Sequence, residues 1–420
     1  MATLEQRPKT SALPEGTGYL TIRRGHEPYP KWDAPNRGNS SPEDRGVTIS
    51  ITPSADVPAP TTEVTISGYV KGDFIYDFDE NLGDSFGYTD LQPADRDQEF
   101  HAHARQTRFR IKSRTDTAIG EIRTLIEGDF YGSGNPAGSF RLRHAWGEWD
   151  FMPNWTFGAG RYWTNFAPGY DQPPTVDFNG PAGLSTSRQA QVRVTYESEG
   201  LTAAVALEHL VPRVTHDGTI TVSGTVDPSG YSQVPHLTGT LKYESTNNYK
   251  LSIHGVIGQV GVNGKKSPTP IVTGKDTQFL WGVIGAGSVT LGEVLTILAS
   301  GGVGRGAARY LVGTDTPANV GGTPADPKVE GREYASFSAS ALLDVTEEVS
   351  FTAAYGHLQF PNNYTNVGET KRIQTVHVNV LWQPVSQMKM GLEVMWAKRK
   401  IEGVGSPDAV RGQFGTWFFF

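Results

Sequence analysis

The residues of this 420-residue chain best suited to chemistry are basic and evenly spaced. Arg108, Arg110, Lys112 and Arg114 alternate with Phe109, Ile111 and Ser113. On a β-strand that alternation puts the cations on one face and the apolar side chains on the other. The next segment adds Arg123 opposite Ile122, Ile126 and Phe130, and the one after adds Arg141 and Arg143 opposite Phe140 and Leu142. On neighbouring strands, Arg108, Arg110, Lys112, Arg123, Arg141 and Arg143 form a patch. Charged rows on the wall of an aqueous passage select ions of the opposite sign, so the implied chemistry is attraction of anions. The same region carries Glu121, Glu127 and Asp129. Two outcomes therefore stay open: an anion-attracting patch, or a solvated wall whose cations are met by these acids.

Other candidates are weaker. The stretch 165–187 contains Pro168, Pro173, Pro174 and Pro181 with Asp171 and Asp177, too much proline to extend a sheet. Folded inward as a constriction, it would set Asp171 and Asp177 against the basic wall, with Glu127 and Asp129 as further lining acids. The stretch 79–99 holds Asp79, Glu80, Asp84, Asp90, Asp95, Asp97 and Glu99 without an EF-hand spacing, which reads as a solvated loop rather than a cation site. His101 and His103 share a face, but two histidines without a third ligand do not make a metal site. Gly302–Ala307 (GVGRGA) lacks the following helix of a dinucleotide loop. His377 and Ser338 are isolated. No metal and no cofactor are expected.

These side chains need elements that keep one face wet and the other in apolar surroundings. At 64–78, Val64, Ile66, Val70, Phe74, Tyr76 and Phe78 share a face opposite Thr65, Ser67, Lys71, Asp73 and Asp77. The alternation recurs at 100–113, 120–131, 140–151, 155–164, 188–197, 201–210, 236–245, 249–260, 277–290, 293–303, 333–344, 348–359, 371–383, 387–399 and 410–420, the period of a strand with one apolar side. That makes about 16 segments, each near the ~9–11 residues that cross a bilayer obliquely. Connections alternate between tight ones, such as 152–154, 198–200 and 246–248, and long ones, such as 165–187, 211–235 and 304–332. Two strands are irregular: His144 falls in phase with Leu142 and Trp146, and Arg161 with Trp155, Phe157 and Trp163, so bulges or wet rims are expected there. The chain ends RGQFGTWFFF, with Phe414, Thr416, Phe418 and Phe420 on one face and Trp417 and Phe419 on the other. Trp417, Phe418 and Phe420 are expected to close the sheet against its first strand. The fold expected is all-β: a 16-stranded antiparallel transmembrane β-barrel, residues 63–420, with long external loops and short periplasmic turns.

Composition agrees. Mean hydropathy is −0.39, as befits strands of which only alternate residues face lipid. No apolar run reaches the roughly 18–20 residues of a membrane helix. With no cysteine, disulfide frameworks and thiol sites are excluded, and a net charge of −7 argues against nucleic acid as a partner. Residues 1–62 differ, with prolines at 8, 14, 28, 30, 35, 42, 53, 58 and 60. They read as an extended or disordered arm in which Gly18–Ile22 and Val47–Ile51 are able to pair as strands. Met1–Thr10 lacks the apolar h-region of a secretory signal, which leaves either a removed leader or export not encoded in these residues.

The stretches Ile66–Phe74 (ISGYVKGDF), Thr107–Ile111 (TRFRI), Gly128–Phe130 (GDF), Arg141–Trp146 (RLRHAW), Gly160–Trp163 (GRYW), Val378–Trp382 (VNVLW) and Trp417–Phe420 (WFFF) together resemble the trimeric general-porin superfamily. Within it the chain looks most like the DcaP-like porins, over about residues 63–420. The resemblance implies a homotrimeric channel in the outer membrane of a Gram-negative bacterium. It also implies a third external loop folded into the pore, and passage of small anionic solutes. DcaP-like porins carry a coiled-coil arm before the barrel, which the proline-rich residues 1–62 are unable to form. The function expected is passive diffusion of small hydrophilic solutes with preference for anions such as dicarboxylates. Outer-membrane lipids and lipopolysaccharide are the expected surroundings. Alternatives are a phosphate- or monocarboxylate-selective channel, a barrel-embedded hydrolase, or a structural barrel.

Overall fold

A computed structural model describes residues 18–25, 42, 45–52, 61–93, 97–133, 138–169, 172–210, 215–216, 230–246, 248–264, 272–292, 294–314, 317–361 and 368–420. In the N-terminal region β1 (Tyr19–Arg24) pairs antiparallel with β2 (Val47–Thr52). There follow β3 (Thr62–Asp77), β4 (Glu99–His103), β5 (Arg108–Thr117), β6 (Gly120–Gly132), β7 (Ser139–Met152), β8 (Trp155–Trp163), β9 (Arg188–Ser198) and β10 (Leu201–His209). Next come the short β11 (Thr215–His216) and β12 (Gly230–Tyr231), then β13 (His236–Glu244), β14 (Tyr249–Asn263), β15 (Lys275–Leu291) and β16 (Leu295–Arg305). The chain finishes with β17 (Ala318–Gly322), β18 (Pro327–Gly331), β19 (Glu333–Asp344), β20 (Val349–Gln359), β21 (Thr370–Val385), β22 (Met388–Ile401) and β23 (Asp408–Phe419).

With β4 and β5 counted as halves of one strand, and β1, β2, β11, β12, β17 and β18 set aside, sixteen antiparallel strands close a barrel. The seam is β23 against β3, in a register that sets Trp417 opposite Lys71 and Phe418 opposite Val70. Ladders of backbone hydrogen bonds join each barrel strand to its neighbours, which is what allows strands to cross lipid. Val70, Phe74, Phe109, Ile111, Phe414 and Phe418 are exposed on the outer face, while Lys71, Asp73, Arg110, Lys112 and Gln413 are buried inside. The tight turns use left-handed backbone where the type demands it, at Asn154 (φ 68°) and Asn248 (φ 62°), a conformation asparagine tolerates well.

Two irregularities decide which side chains reach the lumen. The strand expected over 100–113 is broken at 104–107: the outward residues are Phe100 before the break and Phe109 and Ile111 after it. Cross-strand bonds hold the break open, since Lys71 N donates to Thr107 Oγ1 (3.1 Å) and the Lys71 ammonium to Gln106 Oε1. In β7, Glu127 pairs with His144 while Gly128 pairs with Leu142, so Arg143 is the extra residue of a bulge. Arg143, His144 and Trp146 are all buried while Leu142 is exposed. In β8 the ladder with β9 runs unbroken past Arg161, while the ladder with β7 ends there and is irregular between Asp150 and Met152.

β3 outruns β23: its residues 69–77 pair with the last strand, and its residues 62–66 pair with β2 instead. Thr48 Oγ1 bonds Thr65 Oγ1 (2.9 Å) and Ser50 Oγ donates to Glu63 (2.9 Å). Leu20, Ile22, Val47 and Ile51 lie exposed, as Ile66 does.

Long connections fold inward, three of them extensively among the described residues. Leu82, Phe86, Tyr88 and Leu91 of the first pack against Ile373, Met395, Ala397 and Ala409 of the wall. His101 and His103 pin that loop through ring-nitrogen bonds to the carbonyls of Gly83 (3.1 Å) and Asp84 (2.7 Å). Tyr310, Leu311 and Val320 of the connection after β16 pack on Val256, Val260, Leu280 and Ile284. The third inward loop, between β8 and β9, shapes the site.

Candidate functional site

Residues 172–187 cross the lumen and are fastened to the far wall. Val176 N donates to Glu393 Oε2 (2.7 Å), Lys71 Nζ to Val176 O (2.7 Å) and Asn379 Nδ2 to Pro174 O (2.9 Å). Glycines make room for the crossing: a Cβ at Gly391 or Gly415 would stand 2.7 or 2.8 Å from a Val176 methyl. Glu393 also accepts from His377 Nδ1 (3.1 Å) and Asn379 Nδ2 (2.9 Å), so one buried carboxylate gathers the anchor. A hydrogen bond to a charged group is worth about 1.5–3 kcal/mol. Glu393→Leu is therefore expected to raise the population of detached loop by about ten- to a hundredfold. Single-channel recording should show larger and noisier openings; unchanged conductance would remove Glu393 from the anchor.

Between this loop and the wall of β5, β6, β7 and β9 a cavity remains. Arg108, Arg110, Glu127, Arg143, His144 and Arg188 line it from the wall and from the start of β9, with Trp163 at the end of β8, and Gln172, Thr175, Phe178 and Asn179 line it from the loop. Glu127 is the hub of the wall. It accepts from Arg110 Nε (2.8 Å) and Arg143 Nε (2.7 Å), with Arg108 Nε at 3.6 Å and His144 Nε2 at 3.9 Å. Asp129 is held by Arg141 (2.7 Å) and Arg143 (2.8 Å), and Phe178 lies under both guanidiniums at 5.3 and 5.6 Å. Four arginines against one glutamate line the cavity, so its field is positive whatever the net charge of the chain.

The remaining residues singled out in the sequence lie elsewhere. Arg123 is met by Glu121 (2.6 Å), Glu148 (3.2 Å) and Asp150 toward the turn-bearing end of the barrel, which makes that part of the row a balanced cluster. Lys112 is buried on the same inner face. Asp177 does not line the cavity. Its oxygens accept Phe86 N (2.9 Å) and Asn179 N (2.7 Å), so it ties the third loop to the first instead of opposing the arginines. Asp171 lies outside the described residues. Trp417 is fully buried and faces inward, while Phe418 and Phe420 face outward. Ser338 and His377 are both buried inside the barrel, on strands that β20 separates, and not on the lipid face an embedded hydrolase would use. Arg188 and Gln172 were not singled out by sequence, and Trp163 only as part of an irregular strand and of the GRYW stretch; Arg188 stands one residue beyond a proline-rich loop, and only the loop's return places it at the cavity.

The DcaP outer membrane protein family model matches residues 46–406. Among solved structures, the outer membrane channel DcaP of Acinetobacter baumannii superposes with a TM-score of 0.73 at 21% identity, covering 86% of this chain and 97% of that one. An anion-selective porin from Comamonas acidovorans gives 0.58 at 11% identity, covering 86% and 100%. The trimer form of OmpT from Vibrio cholerae gives 0.52 at 13%, also covering 86% and 100%. No curated protein matches the chain. The family match, spanning most of a sixteen-stranded barrel with an inward-folded third loop, carries the conclusion: the chain belongs to the DcaP outer membrane protein family and is a porin of the Gram-negative outer membrane.

Proposed function

We propose that this porin is a passive diffusion channel that prefers small anions, dicarboxylates among them. The observation that carries the reading is the cavity, where four arginines face one glutamate beside the inward loop. Screening at physiological salt acts over about 8 Å, so an ion passing so close to the wall feels its unscreened charge. The outward Phe109, Ile111 and Phe418 meet outer-membrane lipid and lipopolysaccharide in this reading. The assembly proposed is a homotrimer, with residues 63–420 as the barrel and 1–62 as an arm whose β1–β2 pair lengthens the sheet. Under a KCl gradient across a planar bilayer the expected reversal potential has the anionic sign. It should fade at molar salt, where the screening length is about 3 Å. Cation selectivity in the unmodified channel would overturn the reading.

A further inference from the structure

The cavity has more than a positive wall. Four residues that line it each carry a buried side-chain nitrogen with no hydrogen-bond partner: Arg108 Nε, Arg188 Nε, Gln172 Nε2 and His144 Nδ1. Arg108, Gln172 and His144 are each more than nine-tenths buried. They come from separate pieces of chain, namely β5, β9, the crossing loop and the bulge of β7. A buried donor without a partner costs free energy, and folded proteins hold few of them. Four on residues that line one cavity are poorly explained by packing alone.

We propose that this cavity is a saturable binding site for one oxyanion group, a carboxylate or a phosphate, held by Arg108, Arg188 and Gln172. The inference rests on the anion-channel reading above and adds to it a discrete site with named donors. The division of labour among the arginines supports it. Arg110 and Arg143 spend donors on Glu127 and Asp129. Among the described residues Arg188 forms no ion pair; its guanidinium lies on the Trp163 ring at 4.8 Å. Stacking takes the face of the planar group and leaves its N–H edge for a ligand. Arg108 rests likewise on Tyr69 at 5.4 Å, with Glu127 no nearer than 3.6 Å. A guanidinium fork matches the paired oxygens of a carboxylate or phosphate. The Gln172 amide adds a third donor from the loop side, and His144 adds a ring nitrogen whose role follows its tautomer. Glu127, which lines the same cavity, opposes tight retention of an anion. Conduction needs that balance, because a site on the path must also release.

The test is single-channel conductance in planar bilayers against rising concentrations of potassium acetate and, separately, potassium phosphate. For the unmodified channel, conductance is expected to saturate with at least one of the two salts. Saturation with only one supports the proposal and assigns the oxyanion class. Arg188→Gln and Gln172→Leu, each checked for a heat-modifiable band on an SDS gel, are expected to raise the half-saturating concentration by about tenfold or more. The KCl reversal potential of either variant should keep the anionic sign, since at least three arginines still face Glu127. Linear conductance with both salts, or half-saturation unmoved in both variants, would overturn the site and leave the channel reading standing. A cationic reversal potential in the unmodified channel would instead remove that reading.

Discussion

A chain shortened to end at Thr416 is expected to yield no SDS-resistant barrel. The four deleted residues are Trp417, Phe418, Phe419 and Phe420, and three of them pair directly across the closing seam, with Lys71, Val70 and Tyr69. Phe420 N adds a bond to Gly68 O at 3.2 Å. Deletion strips these backbone groups of β3 of their partners. In hydrocarbon each unpaired group costs several kcal/mol, because no water is there to replace the bond. The side chains add to the loss. Trp417 is completely buried, and its ring lies within 4.4 and 4.6 Å of the ammonium groups of Lys71 and Lys389. Removing a buried tryptophan alone costs about 3–5 kcal/mol, and here two buried cations lose their aromatic face as well. Folding into lipid and running the product unboiled on an SDS gel reads the outcome directly. Trp417→Ala should retain a band that melts at lower temperature, and Phe420→Ala, whose ring is 41% exposed, should change little. A full-yield, heat-modifiable band from the shortened chain would show that closure does not depend on these residues.

The double replacement of Arg108 and Arg188 by glutamate is expected to reverse the sign of ion selectivity. Four arginines and one glutamate line the cavity; after the change two arginines face three carboxylates. These two positions suit the test because neither makes a close ion pair, Glu127 being 3.6 Å from Arg108 Nε. Arg110 and Arg143 bond Glu127 at 2.7 Å, and loss of one partner of such a buried pair costs about 3–5 kcal/mol, which would confuse misfolding with selectivity. Reversal potentials in a KCl gradient should move from the anionic to the cationic side, and dicarboxylate entry into liposomes should slow. Charge reversal at Arg123, balanced by Glu121, Glu148 and Asp150, should shift the potential less. A double variant that folds and remains anion-selective would place the selectivity outside this cavity.

What the sequence determined by itself was everything that follows from a period of two. Alternation located the sixteen barrel strands, the apolar face of most of them, the basic row from Arg108 to Arg143 and the opposite facing of Trp417 and Phe418 in the last strand. Those features are local, since a strand's neighbours in sequence already say which side is wet. The pairing of Gly18–Ile22 with Val47–Ile51 was legible for the same reason and is seen between β1 and β2. Tertiary structure decided the rest. The break at 104–107 reverses which face points outward, and it is held by Lys71, more than thirty residues away in the chain. The bulge at Arg143 turns both Arg143 and His144 inward, which the phase of Leu142 and Trp146 left ambiguous. Whether a given arginine is available or neutralised depends on carboxylates of adjacent strands, which is why Arg123, read as a lumen base, is balanced by Glu121, Glu148 and Asp150 while Arg188 forms no ion pair among the described residues. The crossing loop is the furthest from local control. Val176 reaches Glu393 across 217 residues of sequence, and that contact turns Asp177 away from the arginines while bringing Gln172 to them. Proline content showed that this loop leaves the sheet, but only packing against Gly391 and Gly415 on the opposite wall determined where it comes to rest.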